Sequence, residues 1–397
     1  MLKSKWMLFV ALICILPLAA HATITRVIGL GGQNTEYMVK DASNPQVWPQ
    51  LISDWPNLAG AEFYEKGSLG WDFHKAYVNF SLPNSSVVQV SLDNVPGVSS
   101  MFFGNAPYTL SSPTIYNLDS AATNANKLSL CWGMPWNGMK VGAALNIAQH
   151  SYEDKLSPAH KMSTSLIGIN LGGSFLDNKL DAAVGFETVS TSLKPGDTGI
   201  GEDKSDGSMA INLAARYWWM YNETMAFIPN LRILSMKDGI THASGDKESA
   251  ATTDIKLGIG YNWNPVENSL ALFELGADIK TTQDKSTSAG AATTVKLSSN
   301  SLPYWRIGFE TRIFTWLTGR LGAERSWASE SSDEKPAQPS AAYSQTATYL
   351  GATACWNRLF LDVQVSPGFF NNGPYFISGS GSGGMFSRVS LKYNFSK

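Results

Sequence analysis

Apolar and polar residues alternate with a period of two along many stretches of this chain. The clearest stretch is 253–263, where every odd position is threonine, isoleucine, leucine or an aromatic residue and every even position is charged, asparagine or glycine. Successive side chains of a β-strand point to opposite faces, so this stretch predicts a strand with one apolar and one polar face. The pattern recurs to the end of the chain, which predicts an all-β protein.

Short turn signals join these stretches in pairs, and the asparagine–glycine pair at 137–138 is the clearest of them. Longer segments rich in Gly, Ser, Asp and Lys join the other ends, at 151–161, 191–206, 237–249, 283–299 and 328–342. Short turns on one side and long loops on the other are typical of bacterial outer-membrane barrels, in which the short turns face the periplasm. The predicted strands are 128–134, 139–150, 165–175, 179–190, 208–219, 224–235, 251–264, 270–282, 302–313, 316–327, 344–356, 359–366 and 386–395.

The number of strands follows from the position of the chain ends, because a closed barrel with both ends in the periplasm needs an even number. About thirteen strands lie between residues 128 and 395, so one ascending strand must precede them, and 71–94 is the best candidate. We therefore predict a closed antiparallel transmembrane β-barrel over residues 71–397 with about 14 strands, or about 16 if 71–94 forms its own hairpin.

A soluble β-sandwich would also alternate, but the first residues favour export. Residues 1–22 are typical of a signal peptide: Lys3 and Lys5 supply positive charge, 6–20 form the apolar core, and Ala20-His21-Ala22 is a small-x-small cleavage site before Thr23. No other stretch approaches the roughly eighteen apolar residues of a spanning helix. The expected location is the outer membrane of a Gram-negative bacterium, with the lipid bilayer as the surrounding partner.

Two further features fit this location. The last strand carries Val389, Leu391, Tyr393 and Phe395 on one face, similar to the signal that the outer-membrane insertion machinery recognises, although two residues follow Phe395. Aromatic residues collect beside the predicted periplasmic turns, as in the interfacial girdle of a membrane barrel. They are Trp132, Trp136, Trp218, Trp219, Tyr221, Tyr261, Trp263, Trp316 and Trp356.

The segment 23–70 shows no spanning strand and is rich in glycine and proline. It is either a flexible periplasmic tail or a compact plug inside the barrel. Trp48, Trp55 and Leu58, with Val47, Leu51 and Ile52, make it too apolar to remain in water, which favours a plug or hatch.

Three short motifs occur in order in this segment: Gly31-Gly32, then Asp41-Ala42-Ser43, then Pro56-Asn57-Leu58-Ala59-Gly60. They resemble the Gly-Gly patch, the Asp-rich stretch and the Asn-Pro-Ala-Gly-Leu-like turn that begin chains of the long-chain fatty-acid transporter (FadL-type) superfamily and its relatives in secretion systems. The Asn-Pro order is inverted in this chain. The resemblance implies a fourteen-stranded barrel with an N-terminal hatch. It does not identify a ligand for this chain.

Charge on the lipid face of a barrel is costly, so candidate functional groups are sought on the lumen face. Strand parity places ten residues there as lumen-lining candidates for solute binding or transport. Charges of both signs are present, and cross-strand ion pairs are expected where strands 302–313 and 316–327 face each other. The ten candidates are Arg216, Arg232, Lys256, Glu274, Asp278, Arg306, Glu310, Arg312, Arg320 and Glu324.

Overall charge and cysteine content exclude several classes of partner. The chain has 30 Lys and Arg against 32 Asp and Glu, with no basic stripe, which argues against nucleic acid. Parity places Cys131 and Cys355 in the lumen, far apart in strand order, so free thiols are expected rather than a disulfide. No spacing fits a metal site, and no cofactor is expected.

These observations favour a channel or transporter for a small amphipathic or hydrophobic solute, gated by the N-terminal segment. A general diffusion porin is one alternative, and a secretion-associated adaptor or structural barrel is another. Enzyme activity is not expected, because no serine is linked by a recognisable motif to the histidines at 74, 150, 160 and 242.

Overall fold

The chain forms a closed antiparallel β-barrel of sixteen wall strands around a short N-terminal segment. The computed structural model describes residues 23–65, 71–96, 124–153, 161–194, 201–288, 291–333, 341–366 and 385–395. The predicted signal peptide, 1–22, lies outside these residues.

The strands pair in chain order, and β18 pairs with β1, which closes the barrel. Two short pieces, β8 and β10, belong to the same wall strand as β9, because β8 and β9 both pair with β7 and β11 and β10 continues the pairing with β11. The strands are β1 (Leu58–Glu65), β2 (Trp71–Ser81), β3 (Val87–Pro96), β4 (Asn124–Trp136), β5 (Met139–Glu153), β6 (Lys161–Phe175), β7 (Leu180–Lys194), β8 (Asp203–Ser205), β9 (Ser208–Tyr217), β10 (Trp219–Met220), β11 (Met225–Thr241), β12 (Lys247–Trp263), β13 (Ser269–Ser288), β14 (Ala291–Phe314), β15 (Leu317–Ser332), β16 (Ala341–Trp356), β17 (Leu359–Val365) and β18 (Phe386–Asn394).

The N-terminal segment consists of four short helical pieces joined by turns. They are the α-helix α1 (Ile24–Gly29) and the 3₁₀ turns Gln33–Tyr37, Asn44–Gln46 and Pro49–Asp54. Among the described residues, no helix has the length and apolar character that crossing a membrane requires.

The predicted hairpin in 71–94 forms as β2 and β3, so the larger of the two predicted strand numbers is confirmed. The remaining wall strand is β1, which lies inside the segment 23–70 that was predicted to contain no strand. That prediction was wrong for Leu58–Glu65, and Leu58 is the first residue of β1 rather than part of the plug. The segment that lies inside the barrel is therefore 23–57, which we call the plug.

Short connections cluster at one end of the barrel, the turn end, as predicted. Asn137 and Gly138 both have positive φ, 48° and 78°, which matches the tight hairpin turn expected of this pair. At the opposite end, the loop end, the strands continue into segments predicted as loops. β11 extends to Thr241 and β13 extends to Ser288. Their backbones remain paired beyond the membrane, but both faces of the strand meet water there, so the sequence no longer alternates between apolar and polar residues.

The wall is apolar outside and polar inside. On β6, Ile167, Ile169 and Leu171 point outwards and are about half exposed, whereas Asn170 between them is fully buried. A soluble protein has the reverse arrangement, and an exposed apolar band around a charged interior matches a barrel surrounded by lipid.

Candidate functional site

The plug fills the lumen and packs against the wall on several sides. Trp48 and Leu51 are fully buried in a cluster with Tyr37 of the plug and with Ala183 and Ala214 of the wall. A second cluster joins Val27, Leu30 and Met38 to Leu272 of β13, and a third joins Ile52 to Val87, Cys131 and Ala144. The apolar residues that suggested a plug therefore find their partners on the inner wall.

Glycines on the inner wall let the plug backbone approach closely. A methyl group on Gly142 would collide with the backbone of Pro49 and Gln50, and one on Gly308 would collide with the carbonyl oxygen of Leu30. A methyl group on Gly322 would lie 2.6 Å from the backbone nitrogen of Gly31. Backbone cannot move aside as a flexible side chain can, so these glycines determine where the plug fits.

Polar wall side chains hold the plug by its backbone carbonyls. Asn79 donates to Trp55 O at 2.8 Å, Asn170 donates to Gln46 O at 2.6 Å, and Asn262 donates to Met38 O at 2.7 Å. Irregular backbone inside a protein needs partners for its polar groups, and these three amides, on β2, β6 and β12, supply them from well-separated parts of the wall.

Arg216 of β9 is the most strongly engaged of the predicted lumen residues. Its Nε donates to Asp181 at 2.9 Å, and its Nη1 donates to the carbonyl oxygens of Glu36 and Val39 at 2.7 and 2.8 Å. Its guanidinium carbon lies 4.7 Å from the centre of the Trp48 ring. Arg216 therefore binds the plug and a wall carboxylate at once.

A chain of ion pairs joins α1 to the opposite side of the wall. Arg26 contacts Glu310 at 2.7 Å and Asp41 at 3.2 Å, and Glu310 also accepts from Arg320 at 2.5 Å. Arg320 in turn contacts Asp362 at 3.0 Å. Burial raises the pKa of Asp41 above its usual range, although Arg26 acts to lower it. Breaking this network would leave buried charges without partners.

Gly31 and Gly32 lie against a second charged network. Both have positive φ, 134° and 93°, a conformation that favours glycine, and side chains there would meet Arg306 and Glu324. Arg306 contacts Glu274 and lies 3.1 Å from Glu324, and Tyr304 and Tyr349 add hydrogen bonds to Glu274 and Glu324 respectively. The glycine pair thus lets the plug chain pass close to the wall.

The other predicted lumen residues also face inwards. Arg232 pairs with Asp254 at 2.8 Å, and Lys256 pairs with Asp278 at 2.7 Å. Arg312 lines a cavity at the turn end. The structure therefore gathers all ten candidates in the lumen, mostly as ion pairs.

Two chambers adjoin the plug, beside strands β14 and β15. The turn-end chamber has a volume of about 580 Å³ and is lined by Arg26, Arg312, Leu270, Trp316 and Phe360, among others. The loop-end chamber has a volume of about 440 Å³ and a mostly charged or polar lining. Its lining includes Asn34, Lys256, Asp278, Tyr304, Arg306 and Glu324. Arg26 and Asn34 belong to the plug, so the plug contributes to both chambers.

Three plug residues at this site were not among the predicted candidates. Arg26, Asp41 and Gln50 are buried and contact the wall or each other. The sequence showed only that these three residues are charged or polar within a glycine-rich segment, and that did not predict which residues they contact. Trp48 and Trp55 both belong to segment 23–57, and Trp55 packs against Ala42, Leu58 and Tyr77.

Cys131 and Cys355 are free thiols, as predicted. Cys131 is buried beneath the plug, 3.7 Å from the carbonyl oxygen of Pro49, whereas Cys355 is partly exposed and lines the turn-end chamber. Among the described residues, no group of three His, Cys, Asp or Glu side chains could hold a metal ion.

No protein-family model matches the chain, and no curated protein matches it. Solved structures do. The chain is 12% identical to a Pseudomonas aeruginosa FadL homologue, with a TM-score of 0.42, and the match covers 92% of this chain and 96% of that one. For the CymD monoaromatic hydrocarbon channel the identity is 9%, the TM-score 0.39, and the coverage 94% and 99%.

CdiB from Acinetobacter baumannii is 8% identical with a TM-score of 0.41, and the match covers 85% of this chain but only 59% of that one. Likenesses at this level carry no argument about what this chain does. The class is defined by its own strand pairing and filled lumen: an all-β transmembrane barrel of the outer-membrane type. A FadL homologue is among these matches. The N-terminal motifs of this chain resemble those of the FadL-type superfamily.

Proposed function

We propose that this protein is an outer-membrane channel for a small solute and that the plug, residues 23–57, keeps it closed. The observation that carries the proposal is the attachment of the plug to wall strands around the lumen, from Asn79 on β2 to Glu310 on β14. A wall that is polar and charged inside supports passage of a solute through water, and a bound plug supports control of that passage.

The chambers support an amphipathic solute. Each has the size of a small-molecule site, within roughly 300–1,000 Å³. The turn-end chamber combines apolar Leu270, Trp316 and Phe360 with the guanidinium of Arg312, which suits a molecule with an apolar body and a negatively charged group. No catalytic step is part of this proposal.

The location proposed is the outer membrane, reached after removal of the signal peptide and insertion by the outer-membrane machinery. Support comes from the apolar outer surface and from β18, which completes the barrel by pairing with β1.

Planar-bilayer conductance tests the proposal. We expect the full chain to show low conductance and a variant lacking residues 23–57 to show large, steady conductance. If the deletion prevents folding, the point variant Gly322→Ala in the wall, which disfavours plug docking in the full-length chain, serves the same purpose. Large, steady conductance in both proteins would mean a general diffusion porin and contradict the proposal. No conductance in either, with a protein partner co-purifying, would favour the adaptor alternative.

Liposome swelling tests the solute class. We expect octanoate to enter vesicles that contain the protein faster than the uncharged sugar arabinose does. Arg312→Ala should slow octanoate entry and leave arabinose unchanged, because only the carboxylate needs the guanidinium. Equal effects on both solutes would contradict the amphipathic assignment while leaving the closed channel intact.

A further inference from the structure

The first described residue, Thr23, lies inside the lumen. It is 1% exposed and precedes α1 as its N-cap, with its hydroxyl accepting from the backbone nitrogen of Arg26 at 3.2 Å. The same hydroxyl donates to Oδ2 of Asp362, a fully buried carboxylate on β17, at 3.1 Å.

A second carboxylate points at the same place. Glu62 of β1 is 2% exposed, and its Oε1 accepts from the backbone nitrogen of Ile24 at 3.2 Å. Its Oε2 is buried and makes no hydrogen bond to any described residue. A buried carboxylate oxygen without a donor is costly, so a missing donor is expected next to Ile24.

The sequence supplies that donor if the chain is cut before Thr23. Ala20-His21-Ala22 is a signal-peptidase site, and hydrolysis of the Ala22–Thr23 bond leaves a carboxylate on the leader and an α-ammonium on Thr23. Bond lengths place this nitrogen about one peptide unit from the backbone nitrogen of Ile24 and no more than about 6 Å from Oδ2 of Asp362.

We propose that the α-ammonium of Thr23, created by cleavage after Ala22, is bound inside the lumen by the carboxylates of Glu62 and Asp362 and fastens the plug to β1 and β17. Removal of the leader therefore completes the plug site as well as freeing the chain. An uncut chain carries a neutral amide nitrogen at this point and leaves Oε2 of Glu62 without a positively charged hydrogen-bond donor.

The first test maps and probes the terminus in the purified, folded protein. Mass spectrometry should find Thr23 as the first residue. Acetylation of its α-amine by an N-hydroxysuccinimide ester at pH 8 should be about tenfold or more slower in the folded barrel than in the same protein unfolded in urea. A mature chain that begins elsewhere, or an α-amine that is acetylated equally fast in both states, would overturn the proposal.

The second test moves the charge without removing any residue. The variant has two alanines inserted between Ala22 and Thr23 and is cleaved after Ala22, so that its mature chain begins with the two added alanines. It should show more channel openings than the wild type. Two alanines inserted after Gly245, in the exposed turn between β11 and β12, form the control and should change nothing.

Glu62→Gln separates an ion pair from a simple helix cap. If Glu62 pairs with the α-ammonium, E62Q should raise opening in the wild-type background and add little in the extended variant, where the charge has already moved. Effects that add fully in the double variant would show that Glu62 acts without the terminal amine and would contradict the proposal. Closure of the channel itself is tested by the deletion of 23–57, so the two proposals can fail separately.

Discussion

At the scale of single residues, the inner-wall glycines constrain where the plug can lie. Gly322 of β15 faces the plug backbone, whereas Gly319 on the same strand faces outwards toward the tip of Ile313. Gly322→Ala should disfavour plug docking by about 1–3 kcal/mol, as overpacking does, because backbone lies in the way. Single-channel recording should show frequent openings in G322A and wild-type behaviour in G319A. Identical traces for the two variants would contradict docking of the plug against β15.

Glu310 is predicted to matter for stability because it bridges two guanidinium groups, those of Arg26 and Arg320. Glu310→Gln removes the negative charge between them, and losing one member of a buried pair costs about 3–5 kcal/mol. The matched control is Glu153→Gln, since Glu153 pairs with Lys161 at the exposed loop end, where the cost is about 1 kcal/mol or less. Urea unfolding in lipid vesicles compares them, and equal midpoints for the two variants would contradict the buried network.

Glu36 makes plug docking depend on pH. Burial raises the pKa of this plug carboxyl to about 7 from its usual 4.5, although Arg232 and Arg216 act to lower it. A carboxyl with a higher pKa in the docked plug than in the free one favours docking when protonated, so docking weakens as the pH rises from about 4.5 through about 7. Channel openings should become more frequent as the pH rises from about 4.5 to about 7 and should level off above about pH 7. Glu36→Gln should abolish that change, and an unaltered pH profile in E36Q would rule Glu36 out.

At the scale of elements, β18 closes the barrel by pairing with β17 on one side and β1 on the other. Deleting residues 389–397 removes most of this strand and leaves β1 and β17 with unpaired edges. Unpaired backbone N–H and C=O groups are costly within the lipid bilayer. The shortened chain should remain in the periplasm or be degraded, as judged by membrane fractionation. Deleting only 396–397 is the control and should leave outer-membrane levels unchanged. Normal insertion of the longer deletion would contradict this role.

The strands from residue 128 onward were predictable because each alternates over at least seven residues and ends at a recognisable turn. β1 was missed because three consecutive small residues, Ala59, Gly60 and Ala61, hide the alternation of Leu58–Glu65. The polar extensions of β11 and β13 were predicted as loops for a related reason. Apolar and polar residues alternate along a strand only where one face meets lipid and the other meets the lumen. Beyond the membrane both faces of the strand are in water, so the alternation is lost.

At the scale of the whole molecule, parity predicted which charges face inwards but not what they bind. Arg216 and Glu310 were placed in the lumen from their own strands, yet each contacts a plug residue more than 170 positions away in sequence. The plug itself has helical pieces of six residues or fewer, too short for a periodic signal. Its position depends on side-chain fit around the whole wall, which no local pattern encodes.

The thiols of Cys131 and Cys355 offer the most direct measurement of whether the plug occupies the lumen. Cys131 lies beneath Pro45 and Pro49 of the plug, whereas Cys355 is partly exposed at the turn-end chamber and is the control within the same chain. In the folded barrel, a small maleimide should label Cys355 and leave Cys131 unlabelled, as quantified by mass spectrometry. In the variant lacking residues 23–57, both should be labelled. If Cys131 is labelled as fast as Cys355 in the full-length folded protein, the plug does not cover this part of the wall. That result would contradict the proposal that the plug keeps the channel closed.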